Sequence, residues 1–281
     1  MATGFYENRG KKKDMGSRYV VPLDLGNFLM EESDAFYRRG MGKMGVWTYI
    51  GTFIGGAAKK IVVDTGIPGI EHSLKYHPYL KTEPLRPDQG MVSQLKKCGV
   101  KPEDIDIVIL THLHWDHVGG VTQFPNAQFI ATQEELRYAL SPVPTFYNGY
   151  EALQAGMTPM FLKIINRMKT IEMKEKEIVE GVRVIPLPGH SPGSIGVVVE
   201  TAGGPIVIAG DTVCKYGNLE GAPDQHLPYL MTGIFTDMGA VWRSFETIDE
   251  IVGGDYSRVI PGHDPQVFEK KRYDRLTQNA R

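Results

Sequence analysis

Short apolar runs recur along most of the chain, each closed by glycine, proline or a polar residue. They read GVWTYIGTFIGG (residues 45–56), KKIVVDTG (59–66), DIVILTH (106–112), AQFIAT (127–132), GVRVIPLPGH (181–190), SIGVVVE (194–200), PIVIAGD (205–211) and SRVIPGH (257–263). Their length and their β-branched and aromatic content predict strands. Helical spacing fills some of the gaps. In PDQGMVSQLKKCG, Met91, Val92, Leu95 and Cys98 share one face, and Gly99 stands where a C-terminal cap is expected. TQEELRYAL opens with Thr132 and has Glu135 three residues on, the pattern of a capping box. VWRSFETIDEIVGG carries Val241, Phe245, Ile248 and Ile251 or Val252 at helical intervals before two glycines. Strands mixed with helices predict a layered α/β or α+β domain. Residues 141–177 break the pattern. SPVPTFYNGY and MTPMFLKIINRM predict an inserted loop and helix that caps the sheet edge, and residues 1–44 are expected to form an N-terminal arm or lid.

A chain of 281 residues with 42% hydrophobic content can bury one large core, so a single domain over 1–281 is expected. The net charge of −2 gives no basic surface for nucleic acid. Lys11–Lys13 reads as a solvated N-terminus. No run is long enough to span a membrane, and the first residues lack the apolar core of a secretory signal. Cys98 and Cys214 cannot build a disulfide framework. A cytoplasmic protein without membrane or nucleic-acid partners is the expectation, with a small molecule as its substrate.

Chemistry concentrates where the runs end. The chain has 8 histidines, and THLHWDH, Thr111–His117, holds His112, His114 and His117 beside Asp116. Other runs end at His190, Asp211 and His263, each behind a glycine (Gly189, Gly210, Gly262) that permits a sharp turn. Imidazole and carboxylate are zinc ligands. His112 and His114 can face one side of an extended segment. Asp116 and His117 follow the turn and can face a second point nearby. The density suits two adjacent metals sharing a hydroxide rather than one closed structural site. Outside this cluster, His72, His77 and His226 read as solvated or hydrogen-bonded. GHSPG, residues 189–193, imitates a serine nucleophile elbow, but Pro192 has no N–H to donate to an oxyanion.

HLHWDH, with VVDTG at Val62–Gly66, LPGHSPGS around His190, IAGD around Asp211 and PGHD around His263, resembles the metallo-β-lactamase superfamily from about Gly45 to Asp264. The resemblance implies an αββα sandwich with metals at one edge. Residue by residue, it implies one metal on His112, His114 and His190, a second on Asp116, His117 and His263, and Asp211 bridging them. Asp64 matches the family's aspartate that hydrogen-bonds a ligand histidine and fixes its tautomer. Two Zn²⁺ are expected, although the same donors accept iron, manganese or cobalt.

Length and layout resemble the N-acyl homoserine lactone lactonases. That implies a hydrolase that opens a lactone or related ester by attack of the shared hydroxide, with Asp116 and Asp211 catalytic. A glyoxalase II-like thioesterase, a cyclic-amide hydrolase and a mononuclear iron dioxygenase are the alternatives. Many of those lactonases carry a tyrosine three residues after the bridging aspartate. Here that position is Cys214, and Tyr216 is the candidate substitute. Phe146, Tyr147, Tyr150, Met157, Met160, Phe161, Cys214, Met231 and Phe235 are the candidate pocket wall, with core packing or a homodimer contact as their alternative uses.

Overall fold

The computed structural model describes residues 18–274; Lys11–Lys13 lie outside that range. Two sheets face each other. The first is six-stranded, in the order β1 (Tyr19–Glu31), β2 (Met44–Gly55), β3 (Ile61–Val63), β4 (Ile107–Ile109), β5 (Gln128–Thr132) and β6 (Met168–Ile171). The second is five-stranded. It comprises β7 (Lys176–Val179), β8 (Val182–Pro186), β9 (Ile195–Thr201), β10 (Gly204–Gly210) and β11 (Val259–Pro261), in the spatial order β11-β10-β9-β8-β7. β3, β4, β5 and β6 run parallel, as do β10 and β11.

Alternation along the strands builds the layers. Ile61, Val63, Ile109 and Ile130 meet Val197, Val199, Ile206 and Ile208 in one buried cluster between the sheets. The residues between them point the other way. Val62, Val108 and Phe129 pack with Met91, Leu95, Phe161 and Ile164 on the outer side of the first sheet. Val198 and Val207 pack with Val241, Phe245, Ile248 and Val252 of the helix Met238–Val252 outside the second. Helical cover, two sheets and helical cover make the αββα sandwich. Among the described residues, no helix is long and apolar enough to cross a membrane.

Every run read as a strand is one. The helices Met91–Lys97, Gln133–Leu140 and Met238–Val252 also stand where periodicity put them. Two expectations need correction. Residues 19–31, assigned to an arm, are β1, paired antiparallel along β2. A register shift between Asp24 and Asn27, with Gly26 at φ 126°, interrupts the alternation that would have revealed the strand. The 141–177 insertion begins as expected with short turns, Pro144–Phe146, Tyr147–Tyr150 and Leu153–Ala155, and a helix, the 3₁₀ helix Met160–Arg167, but its last part is β6 and the start of β7. Those strands are short and border their sheets, so they carry little periodic signal.

Candidate metal centre

The strand ends deliver the donors. β4 leads into Thr111–His117, with Asp116 and His117 on the short helix Trp115–Val118. β8, β10 and β11 lead to His190, Asp211 and His263. Backbone bonds weld the loops together: His263 N–H donates to Cys214 O at 3.0 Å, Gly262 N–H to Val213 O at 2.8 Å, and Ile195 N–H to Thr111 O at 2.9 Å. Gly262 is a glycine of necessity, because a Cβ there would lie 2.2 Å from Asp211 Oδ1.

The donors fall into two groups. His112, His114, His190 and Asp211 place one ligand atom each within 4.8 Å of one another, and so do Asp116, His117 and His263. In the first group, His112 Nε2 and His190 Nε2 each lie 3.0 Å from His114 Nδ1. Asp211 spans the two groups. Its Oδ2 is 3.6 Å from His190 Nε2 and 3.0 Å from His263 Nε2, while its Oδ1 is 3.2 Å from His117 Nε2. Asp116 Oδ2 lies 3.7 Å from His263 Nε2 and 3.9 Å from His117 Nε2.

The outer ring nitrogens are tied back, which aims the inner ones. His117 Nδ1 donates to Asp64 Oδ2 at 2.8 Å, His190 Nδ1 to Ile234 O at 3.1 Å, and His263 Nδ1 to Thr48 O at 3.0 Å. Thr111 Oγ1 donates to Asp64 Oδ2 and receives His112 Nδ1 at 3.1 Å. Each arrangement leaves an Nε2 lone pair facing inward. Asp64 also accepts from Thr111 N–H at 2.8 Å, and it holds φ 56°, a left-handed conformation unusual for a residue with a Cβ. His114 turns Nδ1 inward instead. Its ring lies against Gly149, where a Cβ would come within 3.0 Å of the imidazole.

Electrostatics divides the groups in the same way. Burial, with neighbouring histidines adding to it, lowers the pKa of His112 and His114 well below the ordinary imidazole range, and burial lowers that of His190. Burial pushes His117 and His263 in the same direction, but Asp211 and the other nearby carboxylates outweigh it and hold both above that range. Asp211 is held low by His263 and His117 despite its burial. His117 Nε2 and Asp211 Oδ1 face the centre and are buried without a hydrogen-bond partner. Inward lone pairs, a shared carboxylate and orphaned polar atoms are the arrangement that divalent cations satisfy, so the residues present fit a pair of them.

A cavity of about 410 Å³ opens above this floor, with His114, Asp116, His190, Asp211 and His263 at its base. Its wall is apolar and aromatic and includes Phe28, Trp47, Tyr79, Trp115, Phe146 and Phe235. Of the expected wall residues, only Phe146 and Phe235 line it. Phe161 and Tyr150 are buried in the core outside the first sheet, with Met160 packed against it, and Met231 packs against the helix Met238–Val252 and its neighbours. Tyr147 and Met157 are half-buried away from the cavity. Cys214 is a buried small residue rather than a ligand. Its thiol meets Thr232 Oγ1 at 3.0 Å, and burial with Asp211 nearby raises its pKa. Tyr216 points away from the centre, because its hydroxyl donates to Val259 O at 3.0 Å and meets Tyr273 Oη at 3.2 Å.

Sequence reading missed Phe28 and Trp47. They are register partners on β1 and β2 and pack their rings on His263, with centroids 5.6 and 5.3 Å away. It also gave Glu135 the wrong task. Thr132 does cap the helix by accepting from Glu135 N–H at 3.0 Å. The Glu135 carboxylate turns the other way, accepting from Leu113 N–H at 2.9 Å, Tyr150 O–H at 2.8 Å and Ser191 O–H at 2.5 Å. It braces the His112–His114 segment against the His190 loop. Ser191, the apparent nucleophile, is locked in this network.

The fold and the centre define a layered α/β protein with a histidine- and aspartate-built metal site at the edge of two facing sheets. Residues 45–263 match the metallo-beta-lactamase superfamily, and the chain belongs to it. Among curated relatives, the N-acyl homoserine lactonase AttM of Azorhizobium caulinodans is 27% identical over 188 residues, covering 66% of this chain and 67% of its own. The N-acyl homoserine lactonase of Bacillus thuringiensis is 26% identical over 256 residues, covering 88% and 92%. Among solved structures, an N-acyl homoserine lactone hydrolase with N-hexanoyl-L-homoserine at its catalytic metal centre shares the fold with a TM-score of 0.70. It is 22% identical and covers 91% of this chain and 96% of its own. The dizinc quorum-quenching lactonase AidC superposes with a TM-score of 0.66 at 18% identity, covering 94% and 92%.

Proposed function

We propose that the protein is a dinuclear, zinc-dependent lactonase that opens the ring of an N-acyl homoserine lactone or a similar small lactone. The observation that carries this reading is the placement of the bridged donor set at the floor of an apolar, aromatic cavity. The curated relatives that act on such lactones support it. His112, His114 and His190 would hold one cation, Asp116, His117 and His263 the other, and Asp211 both. When bound, such a pair supplies Lewis-acid polarisation of a carbonyl and lowers the pKa of water.

The chain's own groups do the rest. The aromatic wall binds the acyl part and excludes water around the ester. Asp116, on the cavity floor, is placed to carry a proton to the leaving alkoxide through its carboxylate. Tyr79 lines the cavity, with its hydroxyl 3.5 Å from His77 Nδ1. Partial burial, with Asp116 and Asp34 nearby, pushes its phenol up to about 12, so it stays a hydrogen-bond donor at neutral pH. With Tyr216 turned away and Cys214 buried, Tyr79 is the phenol that can donate to the substrate carbonyl oxygen.

A pH-stat assay of zinc-loaded protein tests the proposal. Proton release with acyl homoserine lactones and γ-lactones is expected to exceed that with linear esters and thioesters. Release from thioesters alone would overturn the assignment.

A further inference from the structure

Beside the main centre lies a second convergence of donors that the lactonase reading does not use. His72 Nε2, His77 Nε2 and a Glu151 carboxylate oxygen lie within 4.8 Å of one another. Both imidazoles close on the same oxygen, Glu151 Oε1, His77 at 3.0 Å and His72 in closer contact. His77 and Glu151 are buried, at 1% and 2% exposure, while His72 keeps a side open to solvent. Glu151 holds φ 49°, the left-handed region, at the end of the turn Tyr147–Tyr150. That conformation is costly for a residue with a Cβ and persists where its surroundings hold it.

We propose that His72, His77 and Glu151 form an additional binding site for a divalent transition metal, with zinc the best match. Two imidazoles and one carboxylate are a known zinc set, and three protein ligands leave a position for water on the open His72 side. Among the described residues, the ion-pair partners of Glu151 are these two imidazoles. A buried carboxylate is expensive without a cation beside it. A metal ion supplies that charge and takes a lone pair from each ring. Donor atoms crowding one point is also how the main centre looks, where His112 Nε2 and His114 Nδ1 stand 3.0 Å apart.

The position gives such an ion a structural consequence. His72 lies in the helix Ile70–Tyr76, and His77 begins the turn Pro78–Leu80, which supplies Tyr79 and Leu80 to the cavity wall. Glu151 ends the segment that supplies Thr145, Phe146, Asn148 and Gly149. The ion therefore clasps two walls of the substrate cavity. His77 also stacks on Trp115, with ring centroids 3.8 Å apart and planes 7° from parallel. Trp115 stands in the chain between the donors His114 and Asp116.

The test is metal stoichiometry, which does not depend on whether the protein hydrolyses lactones. Stripped full-length protein is titrated with Co²⁺ and, separately, dialysed against buffered Zn²⁺ and analysed for metal. Wild type is expected to take up one equivalent more than His72→Ala, and the last cobalt absorption band should be lost in the variant. His72 is partly exposed, so its truncation should leave the circular dichroism spectrum unchanged. If that spectrum does change, His72→Gln, which keeps a hydrogen-bonding group but is a poor metal ligand, replaces it in the same comparison. Equal uptake by wild type and a folded variant would overturn the site.

Discussion

The floor and the wall of the cavity are built on opposite principles. On the floor, the inward-facing groups come from a few strand ends, and most are fixed by a second bond behind them: Asp64 behind His117, Thr111 behind His112, Thr48 behind His263, Ile234 behind His190. The wall is contributed by β1, β2, the 78–80 turn, the 144–149 turns and the 233–235 loop, and it is held mainly by ring packing, as between Tyr37 and Phe235 or Tyr138 and Phe146. A floor so constrained leaves its donor groups little freedom to change. A wall drawn from two strands and several separate loops can change one side chain at a time, so it is where substrate choice is free to drift.

The largest expected effect breaks the floor at its shared member. Asp211→Asn removes the charge common to both donor groups, so bound metal and turnover should fall together, beyond the ~100-fold loss typical of an outer partner. Metal analysis beside kcat checks this, and full turnover would remove the bridging role. Asp64→Asn leaves every inward donor in place but weakens the aim of His117 and His112, so a loss of roughly 10–100-fold in metal affinity or activity is expected. A competition assay with a chelator reads the affinity directly.

Glu135→Ala separates support from chemistry. Leu113 N–H, Tyr150 O–H and Ser191 O–H lose their common acceptor while buried. Urea denaturation should show a loss of at least roughly 1–3 kcal/mol, with measurable metal binding retained by the folded fraction. An unchanged midpoint would show that the network contributes nothing.

The smallest effects compare two tyrosines. Tyr79→Phe should lower kcat/KM by up to about tenfold, the scale of one neutral hydrogen bond. Tyr216→Phe should leave kcat/KM unchanged and reduce stability by about 1 kcal/mol. If the two responses were exchanged, the assignment of the carbonyl donor would be reversed.

Much of the floor was legible because strand-forming runs and their terminal glycines are local patterns, and ligand chemistry admits few residue types. HLHWDH, His190, Asp211 and His263 each stand at the end of a run whose length and β-branched content predict a strand. The wall left a fainter trace, in which composition singled out Phe146 and Phe235 but missed the rest. Phe28 sits in a strand whose alternation is broken at Gly26, Tyr79 in a three-residue turn, and Phe235 in a loop without periodicity. Tyr216 and Phe161 look like Tyr79 and Phe146 in sequence, yet they face the interior. The capping pattern at Thr132 correctly placed the start of a helix and still misassigned the carboxylate of Glu135, because Leu113, Tyr150 and Ser191 are near it only in space.

By itself, then, the sequence determined most of the strands and the candidate donors. Both follow from short-range periodicity and from the limited menu of groups that bind metal. The tertiary structure alone decided which aromatic rings reach the cavity, which carboxylate braces the donor loops, and that His72 and His77 meet Glu151. Those outcomes depend on contacts between segments tens of residues apart, and no local pattern encodes the direction in which a loop side chain will point.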